Sequence, residues 1–380
     1  MNKIFTRLPV KSLLRCKSVS KYWLSLVSDP EFVKDYHKSY PIENPNEFDC
    51  VVANKNKVGL VIISRNEEIC ILPPDHYEVF GSIHGLICLG NDHSAFNNND
   101  KKFWLWNPAI HQFKEFNFPP GIRGSHTSRD VVGFGFDPVS NDYKVVFCRV
   151  FLNNRFVCPS KFDKRSAFVY SSNSDKWSDL IIPDNVFPAA SEVQIPYFSN
   201  TIVKDCPYWI SFPNRWPEEP FVPLVLVKFD TTSNVFNLFP EFHCKHGQNV
   251  VLVNMMDRPT LMEYEQHSYN LSVNVYSLDE EGSGVWSKIY TVDRPTDNFR
   301  RFRNLLQGFK CGGEILFEEY GRFSYYDHKT DKISHIPGTS CSSVSCCFGY
   351  TPSLVFLEGM ESDMKSNTHL SQLVSYLIRT

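Results

Sequence analysis

Two clusters of side chains in this 380-residue sequence have the residue types to bind a metal. Cys341, Cys346 and Cys347 form one; His243, Cys244 and His246 form the other. Structural zinc is held by two ligand pairs with short, regular spacing, such as C-x(2–4)-C or H-x(3–5)-H. Four residues separate Cys341 from Cys346, but Cys347 adjoins Cys346 and no well-spaced His pair follows. The expectation is buried strand cysteines in the first cluster and a polar loop in the second, with no metal in either. Nucleophilic and phosphate-binding patterns fare no better: there is no G-x-S-x-G elbow, no P-loop and no H-E-x-x-H. Gly133-Phe134-Gly135 has no third glycine and no helix start after it, so it reads as a strand or bulge feature. Glu218-Glu219 and Glu280-Glu281 sit among turn residues and read as solvated carboxylates. No catalytic residue and no cofactor are expected, so the chain does not read as an enzyme.

Recognition is the remaining kind of chemistry. Asn298-Phe299-Arg300-Arg301-Phe302-Arg303 alternates charge with aromatic faces, a pairing that single-stranded nucleic acid can use. A solvated inter-strand loop is the simpler reading, with an acidic protein patch as its natural partner if it has one. The segment from Pro207-Tyr208-Trp209 to Trp216-Pro217 reads as part of an exposed rim. With 39 basic against 42 acidic residues the net charge is −3, so no global field favours nucleic acid or an anionic membrane.

The elements that carry these residues are mostly strands. Apolar residues make up 42% of the chain and aromatics 14%, including 31 Phe, which excludes wholesale disorder and favours β-structure. No apolar run approaches the ~20 residues that span a bilayer. Met1 to Pro9 lacks the apolar stretch and cleavage site of an export signal, so the twelve cysteines are expected to be reduced, in the cytosol or nucleus. Residues 1–40 differ from the rest. Val10, Leu13, Leu14, Cys16, Val19, Trp23, Leu24, Leu26 and Val27 recur at spacings of three and four, as in one helix or two short ones joined near Ser18–Ser20. Asp29-Pro30-Glu31 marks a further helix start that runs on through Val33 and Tyr36. Residues 41–47 read as a linker, 48–360 as a β domain and 361–380 as a tail whose run Leu370–Ile378 has helical spacing.

Within the β domain five hairpins repeat one form, an aromatic strand, a polar turn and a second strand. They begin at Trp104, Phe168, Val227, Val273 and Phe323. Their anchors Trp106, Tyr170, Phe229, Tyr276 and Tyr326 are spaced by 64, 59, 47 and 50 residues, bracketing the ~50-residue period of kelch-type blades. A hairpin cannot bury its apolar face alone, so such units must stack. The period favours a β-propeller, with a β-sandwich as the alternative. The strands near 51–72 are expected to join Ser353–Leu357 in a sheet made from both ends of the domain.

Two stretches of the sequence resemble a known family. Leu8-Pro9-Val10-Lys11-Ser12-Leu13-Leu14-Arg15-Cys16-Lys17-Ser18-Val19-Ser20-Lys21-Tyr22-Trp23, followed by Leu26 to Phe32, resembles the second half of a plant F-box. Gly81-Ser82-Ile83-His84-Gly85-Leu86-Ile87-Cys88, Leu105-Trp106-Asn107-Pro108-Ala109 and Gly133 to Val146 resemble the kelch-like F-box-associated domain that follows it. The resemblance implies a short N-terminal helical F-box remnant on residues 1–40 and a substrate receptor of an SCF-type cullin–RING ubiquitin ligase. Its F-box would dock a Skp-family adaptor, and through it a cullin, while the β domain recruits an unidentified target protein. The family's first helix usually begins about a dozen residues before the position of Leu8, so the F-box reads as truncated at its N-terminus. Carried over residue by residue, the adaptor-binding set is Leu8, Pro9, Val10, Leu13, Leu14, Val19 and Trp23. The target-binding residues are not identified by the resemblance.

Overall fold

A computed structural model describes residues 2–29, 31–36, 49–54, 59–63, 68–71, 77–91, 102–122, 128–151, 166–187, 200–211, 221–245, 249–266, 270–279, 284–295, 305–308, 314–319, 322–335 and 344–362. Three helices, α1 (Asn2–Phe5), α2 (Val10–Lys17) and α3 (Lys21–Val27), and a helical turn over 31–36 come first. After them, among the described residues, strands form six antiparallel sheets. The chain divides into two compact units: residues 1–92, 101–117 and 336–380 in one, 93–100 and 118–335 in the other.

The first unit holds the helices and two sheets. Sheet I takes strands Asp49–Asn54, Gly59–Ile63 and Glu68–Ile71 in order and adds Val344–Tyr350 beside the first of them. Both ends of the β region therefore meet in one sheet, in the register Val51 opposite Phe348. The closing strand is Val344–Tyr350 rather than the expected Ser353–Leu357, which is not a strand. Ser353, Leu354 and Val355 are buried instead, and Asn107 engages their backbone. Sheet II runs Tyr77–Ile83, Leu86–Asn91, Lys102–Asn107 and Gln112–Asn117, and the short strand Glu361–Ser362 adds to its outer edge.

The second unit holds four sheets. Sheet III is Ser128–Asp137, Asp142–Phe151, Ser166–Ser171 and Lys176–Leu180. Sheet V is Asn249–Met255, Arg258–Gln266, Asn270–Leu278 and Trp286–Pro295; sheet VI is Leu305–Gly308, Ile315–Glu319, Arg322–Asp327 and Lys332–His335. Sheet IV follows the same meander through Asn200–Val203, Cys206–Ser211 and Phe221–Asp230, but its outer strand is split. Val235–Leu238 pairs one end of the ten-residue strand Phe221–Asp230, and Phe242–Lys245 pairs the other. The five repeated hairpins are the third and fourth strands of sheets II to VI.

The hairpin turns follow from their chemistry. An Asn or Asp at the first turn position accepts the N–H two residues on: Asn107 from Ala109 (3.1 Å), Asp230 from Thr232 (2.9 Å) and Asp327 from Lys329 (2.9 Å). The turn then closes on a residue with positive φ, His111, Asn234 and Asp331 respectively, a conformation that Asn and Asp tolerate better than most side chains. Asp137 opens the first turn of sheet III in the same way, with Val139 as donor and Asn141 at φ 53°. In sheets III and VI a tyrosine on the third strand locks the closing Asp: Tyr170 donates to Asp175, and Tyr326 to Asp331 at 2.9 Å.

Sheets III and IV pack through glycine. A Cβ on Gly133 would stand 2.2 Å from the Trp209 ring, and one on Gly135 would stand 2.4 Å from Thr231 Cγ2. The pair is thus a strand feature, as the missing third glycine suggested, and its role is close approach. Trp209 and Tyr208 are buried, Trp209 donating from Nε1 to the Val132 carbonyl at 3.3 Å. This corrects the rim assignment for Pro207-Tyr208-Trp209: an indole that fills the space left by a glycine belongs to the core. The expected polar loop at His243 and Cys244 is likewise a strand, Phe242–Lys245, with Phe242 and Cys244 buried and His243 and Lys245 exposed. The alternation sends His243 and Cys244 to opposite faces, so they do not form a ligand pair. The linker 41–47 and residues 216–219, 246, 280–281, 298–303, 341 and 370–378 lie outside the described residues.

Candidate docking site on the helical block

Each helix of the N-terminal block has a local cause. Pro9 precedes α2 with extended backbone (ψ 147°), and its carbonyl takes the Leu13 N–H at 3.1 Å to begin the first turn. Arg15 and Lys17 stand in the last turn of α2, where the exposed carbonyls favour positive charge. Ser20 caps α3, its hydroxyl accepting the Trp23 N–H at 3.1 Å. Asp29 does the same for the turn over 31–36, taking the Glu31 N–H at 2.9 Å. The break between α2 and α3 and the restart at Asp29 fall where the sequence placed them.

The helices close on a small apolar core. Phe5, Val10, Leu13, Val27, Phe32 and Tyr36 are buried together with Leu354 from the return segment, and Ala109 and Ile110 pack against them. Trp23 meets Phe5 edge to face, with ring centroids 5.6 Å apart. The Tyr36 hydroxyl donates to the Leu8 carbonyl at 2.9 Å, tying the last helical turn to the loop before α2. The block is therefore anchored on the turn of sheet II and the return segment, in one core.

The seven residues of the candidate adaptor set separate by exposure. Val10 and Leu13 lie in that core, Leu8, Leu14 and Trp23 are half-buried at its edge, and Pro9 and Val19 are exposed. Leu13 has no accessible surface, and burying such a side chain is worth about 2 kcal/mol to the block itself. The large apolar side chains left in water are Ile4 (66%), Val19 (66%), Tyr22 (61%) and Leu24 (47%). Ile4 and Tyr22 were not singled out in the sequence, because periodicity reports which positions share a face and not which face is covered. Four large apolar groups are thus exposed on a small block, more than its own core accounts for.

In the second unit Arg149 pairs Asp130 through two bonds of 2.6 and 2.7 Å, both side chains 5% exposed. Burial drives the Cys88 and Cys148 thiols upward, away from the thiolate that metal binding or nucleophilic attack needs. No described helix is long and apolar enough to cross a membrane.

Among the described residues, six antiparallel sheets, most of them four-stranded meanders, follow a small helical block and define a class: a helical module joined to a bladed β domain. Residues 55–343 match the family model of the F-box associated beta propeller domain, and residues 1–35 match the F-box domain. The chain belongs to the F-box-associated β-propeller family, which settles the propeller against the sandwich. Among its relatives is the F-box/kelch-repeat protein At3g23880 of Arabidopsis thaliana, 24% identical over 350 residues that cover 86% of this chain and 88% of the relative. Another is the F-box protein CPR1 of Arabidopsis thaliana, 24% identical over 372 residues that cover 90% of this chain and 84% of that one.

Proposed function

We propose that this chain is the substrate-recognition subunit of an SCF-type cullin–RING ubiquitin ligase. Its F-box docks a Skp-family adaptor and through it a cullin, and its β-propeller recruits a target protein. The observation that carries this reading is the exposed apolar set Ile4, Val19, Tyr22 and Leu24 on an F-box whose core is shared with Leu354, Ala109 and Ile110. A docking module that shares a core with the turn of sheet II and the return segment is fixed to the first unit of the β domain. Proximity is then the whole mechanism: tethering raises the effective concentration of target lysines near the catalytic subunits. The chain itself carries out no bond-making step and needs no cofactor, and it acts in the cytosol or nucleus.

The test is a titration of the full-length chain with a Skp-family adaptor, beside a Val19→Asp, Leu24→Asp variant. These positions are exposed, so the variant keeps its core. Binding at micromolar Kd or tighter, weakened about 100-fold in the variant, is the expected result. Absence of binding by the unaltered chain would leave a stand-alone propeller that captures a protein without delivering it to a ligase.

A further inference from the structure

We infer that Lys11, Arg15 and Lys21 form a steering surface for an acidic protein face, so that the partner docking on the helical block presents carboxylates beside apolar groups. This names the chemistry of the docking proposed above and rests on that reading for the partner's identity. Charge segregation is the first observation. Residues 1–28 hold six basic side chains, Lys3, Arg7, Lys11, Arg15, Lys17 and Lys21, and no acidic one. The whole chain is at −3, so this segment at +6 stands against a remainder at −9.

Placement is the second. Lys11 and Arg15 stand four residues apart on α2, both exposed, on the side away from the buried Val10 and Leu13. On α3 the exposed Lys21 and Ser25 lie between Tyr22 and Leu24, while Trp23, Leu26 and Val27 turn to the core. Among the described residues Lys11, Arg15 and Lys21 make no ion pair, which leaves their charge to a partner. The same pattern selects among anionic partners. A bilayer interface needs a continuous apolar face, and Lys21 with Ser25 interrupts this one. An extended anionic surface, lipid or nucleic acid, is also repelled by a remainder at −9. A compact protein face meets the block alone and can set a carboxylate opposite Lys21 and apolar groups opposite Tyr22 and Leu24. Exposed charges then act on the encounter, within a screening length of about 10 Å at 0.1 M salt. The apolar contacts set how long the complex lasts.

The test measures association rates of the full-length chain with a Skp-family adaptor at low and high salt. A Lys11→Glu, Arg15→Glu variant is compared with a Lys329→Glu, Lys332→Glu control, which makes the same change in net charge on exposed residues of sheet VI. The unaltered chain and the control are expected to slow about tenfold as salt rises, and the variant to be about tenfold slower at low salt and nearly insensitive to it. Equal rates for variant and unaltered chain, or equal slowing in variant and control, overturns the steering surface. Binding to poly-glutamate and to phosphatidylserine vesicles is read on the same three proteins. If none of them binds the adaptor, the ligase reading falls. Poly-glutamate binding lost only in the variant then leaves the acidic-partner surface standing, and binding that is absent or equal in all three overturns it. Binding to the vesicles in preference to poly-glutamate overturns it in favour of a membrane. A variant with an altered melting midpoint is replaced by Lys11→Gln, Arg15→Gln, read in the same way.

Discussion

Asn107 in the first unit and Asp137 in the second hold the same place in a turn and solve opposite problems. Each opens its turn, each is followed by a proline, and each accepts the N–H two residues on. Both are buried. Asn107 then faces acceptors: its Nδ2 donates to the Ser353 carbonyl (3.2 Å), the Ser353 hydroxyl (3.1 Å) and the Val355 carbonyl (2.9 Å). Asp137 faces donors: the Ser140 hydroxyl (2.5 Å), the Thr232 hydroxyl (3.0 Å) and the Lys144 ammonium (3.3 Å). One atom's difference between amide and carboxylate decides which surroundings a buried turn can tolerate. The amide clamps a returning backbone, and the carboxylate anchors a neighbouring sheet through Thr232 and Lys144.

The contrast breaks most visibly if the amide is made a carboxylate. Asn107→Asp would set a negative group against two carbonyl oxygens in a buried site and is expected to destabilise by about 4 kcal/mol in urea unfolding. A cost near zero would mean that the Ser353–Val355 segment is not held by this side chain. The reverse exchange should cost less. Asp137→Asn keeps the oxygen that Val139 and Thr232 address but leaves Lys144 without its charge partner. Lys144 still donates to the Thr231 carbonyl (2.5 Å) and Asn234 Oδ1 (3.0 Å), so about 3 kcal/mol is expected by the same measurement.

Acid sharpens the comparison, because only one of the two corners titrates. Burial opposes ionisation of Asp137, but the bonds from Ser140, Val139, Thr232 and Lys144 outweigh it and hold the carboxyl at about 2, below the ordinary 3.8. A folded value below the unfolded one means that ionised Asp137 stabilises fully above about pH 3.8. That contribution is lost as pH falls toward 2. Thermal melts from pH 5 to 2 should therefore show a slope component that Asp137→Asn removes and an Asn107 substitution does not. The smallest effect belongs to the exposed member of the series. Asp327 makes the same turn bonds to Lys329 and Thr330 in water, and Asp327→Ala is expected to move the melting midpoint by no more than about 2 °C.

Much of this was legible because it is local. Ser20 and Asp29 as caps, the break at Ser18–Ser20 and the polar hairpin turns are written in neighbouring residues. The structure places the caps, the break and four of the five turns as read, the turn of sheet V lying partly outside the described residues. Gly133-Phe134-Gly135 was also recognisable as a strand feature, though not what its glycines make room for. The Trp209 indole that meets Gly133 comes from a different sheet, seventy-six residues away in sequence. The candidate docking residues were half legible: periodicity grouped Val10, Leu13, Leu14, Val19 and Trp23, and exposure then split them.

By itself the sequence determined what residues can do with their near neighbours: where helices start and stop, which hairpins form, and which domain family the chain joins. Tertiary structure alone decided three things. It chose Val344–Tyr350 over Ser353–Leu357 to close sheet I, put Pro207-Tyr208-Trp209 in the core rather than on a rim, and left Ile4, Val19, Tyr22 and Leu24 in water. Each of these depends on a partner far away in sequence, and an apolar side chain carries no local mark of which distant surface it will meet.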